Sequence, residues 1–367
     1  MILNGEWDWY YISANIPISD VYKYPYEKWD KVFLSRNKGI TIDLIHNLSL
    51  PNAIYEWNWY CISMNIQMSE VYKYPDETWN RKGLSRNKGI TIDLIHNLVL
   101  PNATSDWDWY WISRNISILE VYKYPDETWN RKRLSQNKGI TIDLIHNLVL
   151  PNANRDWNWY FISVSIAISE VCKYPDQTWD RVGLSSNKCI TIDLIHNLVL
   201  PNATRDWDWL FISRYISEVY EYTDETWDKE GLSCNKDITI DLIHNLVLPN
   251  ATNDWDWSCI SRHVSILDVY KYPDETWNRN GLSQNKGITI DLIHRLILPR
   301  ATDNWSWKYI SNSIPIIDVY RYPDETWYKN GLSHNKDLVI DDIYRLDRKT
   351  RHDYRRYTIS FSDIVIV

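Results

Sequence analysis

The sequence predicts an all-α protein, an α-solenoid of about fourteen short helix pairs arranged as seven repeats of 50 residues. A pair of tryptophans two positions apart marks each repeat, and the repeats start near residues 5, 55, 105, 155, 205, 253 and 303. Each repeat divides into two similar halves, since Ile12-Ser13 aligns with Leu34-Ser35. Residues 1–346 are therefore one tandem-repeat region, and 347–367 are a non-repeat C-terminal cap or tail.

The first half of each repeat carries signals for a helix end and a helix start. The segment that begins at Ser19 is followed by Pro25, and proline ends a helix because it lacks the backbone N–H. In the stretch from Pro75 to Trp79, Asp76 is expected to cap the next helix. Two short helices are therefore predicted around this loop.

The second half carries a similar pair of signals. Asn37 has an equivalent in every repeat and is expected to close a short helix in the left-handed conformation. Thr41 then suits the N-cap of the last helix, Asp43 complements its dipole in the first turn, and Pro51 stops it.

A seven-bladed β-propeller is the alternative fold. The repeat number fits, alternating apolar residues are typical of strands, and Asn37-Lys38-Gly39 resembles a hairpin turn. The glycine of that turn is replaced in three repeats, by Cys189, Asp237 and Asp337. Tight turns with positive φ need glycine, so this replacement favours the helices.

Composition and charge narrow the class of protein. The chain of 367 residues has a formal net charge of -8, whereas a nucleic-acid partner usually requires a basic face, so nucleic acid is an unlikely partner. It has 22 Trp and 26 Tyr but only 4 Phe, so nearly every ring carries a hydrogen-bonding group and suits a half-buried position. No apolar run is long enough to cross a bilayer, and a membrane association is not expected.

The repeated motif Trp-Asp-Trp-x-x-Ile/Leu-Ser-x-Asn-x-x-Ile-Thr/Ser resembles the tandem repeats of mimivirus-like giant viruses of amoebae. The resemblance covers residues 5 to 345, although Asn-Lys-Gly-Ile-Thr stands where those repeats carry Asn-Pro-Asn-Ile-Thr. It implies a viral protein in the cytoplasm of the infected host cell, with the virion as a second location. It implies no defined activity.

No catalytic, cofactor or metal site is predicted. His46 and its equivalents occupy one position in six repeats, where they read as ordinary helix-face histidines, because a catalytic base is not needed six times. A histidine ladder that binds metal is the alternative. The repeated Asp43 has a structural explanation at a helix N-terminus. The sequence therefore predicts a non-enzymatic scaffold for protein–protein interaction, a monomer that binds an unknown protein partner. The alternative functions are a Trp-rich propeller that binds carbohydrate or protein, and a modular nucleic-acid-binding repeat protein.

Recurrent positions are expected to hold the repeats together, and divergent positions are free to meet a partner. Trp29 and its equivalents are predicted to form a continuous core; base-stacking platforms are the alternative.

The most divergent position lies between Ser and Asn in each half. The candidate partner-contact residues are Arg36, Arg86, Gln136, Ser186, Cys234, Gln284 and His334 in second halves, and Arg114, Arg214 and Arg262 in first halves. Neutral drift is the other explanation. Lys38 and its six equivalents predict a regular positive row.

Overall fold

The computed structural model describes residues 2–348 and is an all-α solenoid of short helices. Each repeat contains four helices, so the fourteen predicted helix pairs are confirmed. The predicted cap or tail at 347–367 lies outside the described residues, apart from its first two residues, which are helical.

The four helices lie at equivalent positions in every repeat, and the fourth helix is six residues long in repeats 1 to 6. The first helices are Trp9–Asn15, Trp59–Asn65, Trp109–Asn115, Trp159–Ser165, Trp209–Tyr215, Trp257–His263 and Trp307–Ser313. The second helices are Ile18–Lys23, Met68–Lys73, Ile118–Lys123, Ile168–Lys173, the 3-10 turn Glu218–Tyr220, Ile266–Lys271 and Ile316–Arg321. The third helices are Lys31–Leu34, Arg81–Arg86, Arg131–Leu134, Arg181–Ser185, Lys229–Ser233, Arg279–Leu282 and Lys329–Ser333. The fourth helices are Ile42–Asn47, Ile92–Asn97, Ile142–Asn147, Ile192–Asn197, Ile240–Asn245, Ile290–Arg295 and residues 340–348.

The β-propeller alternative is wrong. Within residues 2–348 the strands are Ile2–Asn4 and Thr326–Tyr328, which pair in parallel. The apparent alternation has a capping origin: Asp108 lies between two tryptophans because it is the N-cap of the helix that the second one begins. Thr91 separates two isoleucines for the same reason, and its hydroxyl accepts from the Leu94 N–H at 3.2 Å.

Two predicted caps differ from the structure. The third helix of repeat 2 is capped by Asn80 and not by Asp76, because the turn continues through the buried Trp79 before the helix starts. Asn87, the equivalent of Asn37, has φ -68° and ψ 135°, so the predicted left-handed conformation is wrong. Its side chain is buried and makes hydrogen bonds instead.

The described chain forms two compact units. Asn58–Asp256 makes up the central unit, and the terminal unit combines the residues up to Trp57 with those from Trp257 onward. Each unit has a core of isoleucine, leucine, valine and tryptophan side chains contributed by neighbouring repeats. Within each unit the repeat is therefore not an independent folding unit, as in other solenoids.

Within the terminal unit, repeat 1 packs against repeat 7 through the contacts that join consecutive repeats elsewhere. The Asp8 N–H donates to the Ser333 hydroxyl at 2.9 Å, as the Asp108 N–H donates to the Ser85 hydroxyl at 2.9 Å in the central unit. Leu3, Trp7 and Trp9 join the same core as residues of repeat 7. Apolar residues of repeat 7 are thus in contact with repeat 1.

One residue at the start of each repeat has positive φ, and it is glycine only in repeat 1. The other six positions are occupied by Tyr55, Ser105, Arg155, Arg205, Asn253 and Asp303, with φ between 56° and 63°. A side chain in this conformation costs about 1–2 kcal/mol, whereas glycine adopts it freely. We expect Arg155→Gly to stabilise the protein by about 0.5–1 kcal/mol, measured by thermal unfolding.

The matched control is Arg155→Val, because a β-branched residue is strained at positive φ. This variant is expected to be less stable than the natural chain. Equal melting temperatures for the two variants would contradict the assignment of strain to this position.

Candidate partner-contact site

A buried tryptophan lies in the turn before the third helix of each repeat and forms the centre of the repeat. Trp29, Trp79, Trp129, Trp179, Trp227, Trp277 and Trp327 are all 0% exposed. The indole of Trp179 donates to the Tyr174 carbonyl at 2.9 Å and meets the Trp159 ring edge to face at 5.3 Å. The predicted tryptophan core is confirmed. These rings are closed to solvent and cannot serve as stacking platforms for bases.

A buried asparagine joins the two halves of the repeat. The Asn187 amide donates to the carbonyls of Ser163 at 3.0 Å and Ile166 at 2.9 Å, and its oxygen accepts from the Cys189 N–H at 3.0 Å. The two carbonyls belong to the end of the first helix, where the helix itself provides no donor. Asn187 therefore caps that helix from 21 residues away in the chain.

The repeated aspartate of the fourth helix contacts the next repeat. Asp143 accepts from the Tyr174 hydroxyl at 2.6 Å, and Asp193 accepts from the Tyr222 hydroxyl at 2.5 Å. Asp93 is bound in the same way by the Tyr124 hydroxyl. These bonds lower the pKa of the Asp93 and Asp143 carboxyls and raise the pKa of Tyr222 to about 12. The carboxylate thus links repeats in addition to facing its helix dipole.

The repeated histidine also contacts the next repeat. Nε2 of His196 lies 2.7 Å from a Glu225 oxygen, and Nε2 of His294 lies 2.6 Å from a Glu325 oxygen. In repeat 7, Tyr344 replaces histidine, and its hydroxyl reaches the equivalent Glu27. Sequence reasoning assigned this histidine to an ordinary helix face and missed its partner.

The aspartate–tyrosine bonds predict a loss of stability in acid. A carboxyl whose pKa is lower in the folded than in the unfolded chain adds stability above its unfolded pKa of about 3.9, and this stability disappears as pH falls through the folded pKa. We expect Tyr124→Phe and Tyr174→Phe together to reduce the decrease in stability between about pH 5 and pH 2, measured by urea unfolding at each pH.

Tyr122→Phe is the matched control, since Tyr122 is exposed and lies two residues from Tyr124. Its pH profile is expected to match that of the natural chain. An unchanged profile in the double variant would show that these hydrogen bonds do not determine the acid response.

The ten candidate partner-contact residues differ in their exposure to solvent. Arg36 and Arg114 are exposed. The half-buried residues are Arg86, Gln136, Ser186, Cys234, Gln284, His334, Arg214 and Arg262. The ten residues thus differ in exposure, and their role as a row of partner contacts stays a prediction.

Several of these half-buried residues lie at a repeat junction. The His334 ring stacks on the Tyr11 ring with centroids 3.9 Å apart, and the Arg86 guanidinium lies 4.1 Å from the Trp111 ring centroid. Tyr11 and Trp111 occupy equivalent positions in repeats 1 and 3. Each belongs to the repeat that packs against the second half containing its partner, His334 or Arg86. At these two junctions the divergent residue therefore contacts an aromatic ring of the neighbouring repeat.

The exposed side of the fourth helix presents the same residues in each repeat, and we name it the periodic face. In repeat 2 it comprises Lys88, Asp93, His96, Asn97 and Val99, all exposed. The helix Ile92–Asn97 is about 9 Å long, so the lysine and the valine lie at opposite ends of one short helix. The predicted lysine row is exposed in every repeat, at Lys38, Lys88, Lys138, Lys188, Lys236, Lys286 and Lys336.

The valines of the periodic face are unusual because they are apolar and almost fully exposed. The exposed fractions are 76% for Val99, 77% for Val149, 78% for Val199 and 77% for Val247, all in the central unit. Isolated exposed apolar residues are common, but the same residue at the same position of four consecutive repeats forms a regular surface pattern. This row was not among the sequence candidates; the repeated Leu-Val-Leu-Pro would have indicated it.

Residues 2–348 contain no cluster of His, Cys, Asp and Glu that could hold a metal ion. In the same part of the chain, no helix has the length and apolar character needed to cross a membrane. Fold and surface together define a non-propeller, all-α repeat protein of the solenoid class. Comparisons with protein-family models, with curated proteins and with solved structures find no match to the chain.

Proposed function

We propose that this chain is a non-enzymatic scaffold that binds a protein partner along the periodic face. The observation that carries the proposal is the row of exposed valines, repeated once in each repeat of the central unit. Regular exposed apolar side chains bordered by charged ones are typical of protein interaction surfaces. The partner that fits is a polypeptide with apolar side chains at a matching spacing.

The contacts of the repeated polar residues support a non-enzymatic role. Asp143 and Asp193 are hydrogen-bonded to tyrosines of the following repeat, and His196 contacts Glu225. Because these side chains join consecutive repeats, their recurrence has a structural explanation. The giant-virus resemblance supports a viral origin and action in the cytoplasm of the infected cell or, alternatively, a place in the virion. In this proposal the chain acts as a monomer.

Peptide display on the full-length chain tests the proposal. Peptides selected from a random library are expected to lose affinity about three- to tenfold for each valine replaced, because each Val→Ser change removes roughly 1 kcal/mol of apolar burial. The variants are Val149→Ser, Val199→Ser and their combination, measured by isothermal titration. Their melting temperatures are expected to stay unchanged, since both valines are more than 75% exposed.

Leu119→Ser is the matched control, because Leu119 is 73% exposed and lies on a second helix, outside the periodic face. It is expected to leave peptide affinity unchanged. Selected peptides that bind all the valine variants with natural affinity would overturn the proposal.

A further inference from the structure

Three arginines surround one tryptophan at the junction of repeats 2 and 3. The guanidinium carbons of Arg86, Arg133 and Arg114 lie 4.1, 5.2 and 5.5 Å from the Trp111 ring centroid. Arg133 also stacks over the Tyr110 ring at 3.5 Å. The three positive charges are therefore at most about one Debye length, roughly 8–10 Å, apart and repel one another.

The charges of this cluster are not neutralised by ion pairs. Within residues 2–348, none of Arg86, Arg114 and Arg133 forms an ion pair with a carboxylate, and the nearby Asp108 is used as a helix N-cap. The Arg133 Nε is buried without a hydrogen-bond partner. Burial first, and then the charge of Arg86, lower the pKa of Arg133. A bound anion would relieve the repulsion among the three guanidinium groups.

The cluster occurs at one junction although the repeats are otherwise closely similar. The position of Arg133 is glycine in five repeats, at Gly83, Gly183, Gly231, Gly281 and Gly331. A Cβ atom at Gly183 would lie 2.5 Å from the Tyr160 carbonyl oxygen, so a glycine there lets the paired helices approach closely. Arginine at this position gives up that close packing. Departures from such a packing rule are expected at functional sites.

We propose that Arg86, Arg114 and Arg133 around Trp111 form a binding site for a phosphorylated side chain of a protein partner. A phosphate monoester carries about -1.5 to -2 charges and three acceptor oxygens, which matches several guanidinium groups better than a single carboxylate does. A compact cluster on a chain of net charge -8 suits one anionic group and not a long polyanion. The inference rests on the protein-binding role proposed above.

The test uses the full chain and a peptide library with one fixed phosphoserine and randomised flanks. Selected phosphopeptides are expected to bind at least about tenfold more tightly than the same peptides with serine, and more tightly than the same peptides with a Glu-Glu pair. Binding is expected to quench or shift tryptophan fluorescence and to weaken with added salt. Equal affinity for the serine peptides would overturn the proposal, and a preference for Glu-Glu would assign the site to a carboxylate-rich partner.

The variants use residues that this chain already carries at the equivalent positions, so that folding is retained. Arg86→Gln copies Gln136, Arg114→Val copies Val164 and Arg133→Gly copies Gly183. The triple variant is expected to lose at least about tenfold in phosphopeptide affinity. Arg36→Gln in repeat 1 is the matched control, because Arg36 stacks over Phe33 without a second arginine there, and it is expected to bind normally. Natural affinity in the triple variant would overturn the site.

Two further outcomes separate this inference from the proposed function. If the triple variant binds phosphopeptides less tightly while peptides selected on the periodic face are unaffected, the two surfaces are independent and both proposals stand. If no phosphate-dependent binder appears while Val199→Ser weakens other selected peptides, this inference fails and the proposed function stands. Tighter binding of a single-stranded oligonucleotide than of any phosphopeptide would overturn the phosphopeptide assignment.

Discussion

Replacing Trp179 by alanine is expected to destabilise repeat 4 by about 3–5 kcal/mol, one of the two largest effects of any single change considered. The side chain is 0% exposed, its indole donates to the Tyr174 carbonyl at 2.9 Å, and the Trp159 ring packs against it edge to face. Alanine removes the ring, leaves a cavity and removes the hydrogen bond from the indole to the Tyr174 carbonyl. Hydrogen exchange of the repeat 4 amides and urea unfolding of the whole chain measure the loss.

The controls for this change separate core packing from general sensitivity. Trp179→Phe keeps an aromatic ring but loses the hydrogen bond, and it is expected to cost less than alanine. Val199→Ala, at a side chain 78% exposed, is expected to change stability by less than about 0.5 kcal/mol. Because solenoid contacts run mainly between neighbours, the loss is expected to be largest in repeats 3 to 5. An unshifted transition for Trp179→Ala would contradict the buried position.

The features predicted correctly from the sequence are those with a local signal repeated many times. The period of 50 residues gives the repeats, the invariant tryptophans give the core, and Thr91 followed by Asp93 gives a helix start. Each signal lies within a few residues of the structure it determines. The capping residue of the third helix was misplaced by four positions because both Asp76 and Asn80 are good N-caps, and only the tertiary position of Trp79 decides between them.

The features that sequence reasoning missed involve residues far apart in the chain. Asp143 and Tyr174 are 31 positions apart and meet because consecutive repeats stack. Both positions are kept in every repeat, which indicates a role without identifying the partner. The divergent residues are predicted partner contacts because divergent positions are freer to meet a partner, and the sequence does not indicate that one of them, His334, stacks on Tyr11. Whether a variable position is buried depends on how consecutive repeats pack against each other, and the sequence of one repeat does not contain this information.

Asn187→Asp is the second change expected to have a large effect, about 3–5 kcal/mol at neutral pH. Asn187 is 3% exposed, and its amide donates to the carbonyls of Ser163 and Ile166 at the end of the first helix. Aspartate has the same shape but places a buried negative charge against two carbonyl oxygens. Both helix-end carbonyls then lose their donor, and the charge has no counter-ion.

The pH dependence of this variant distinguishes charge burial from a loss of packing. Burial raises the pKa of the new carboxyl in the folded chain above its unfolded value of about 3.9, so the destabilisation is largest at neutral pH and decreases as pH falls through the folded pKa. Asn202→Asp is the matched control, because Asn202 is exposed and binds one carbonyl, that of Asp176 at 2.7 Å. We expect this control to lose at most about 1 kcal/mol, with little change between pH 7 and pH 5. If Asn187→Asp loses the same stability at both pH values, the carboxyl is not buried, and the long-range cap of the first helix is wrong.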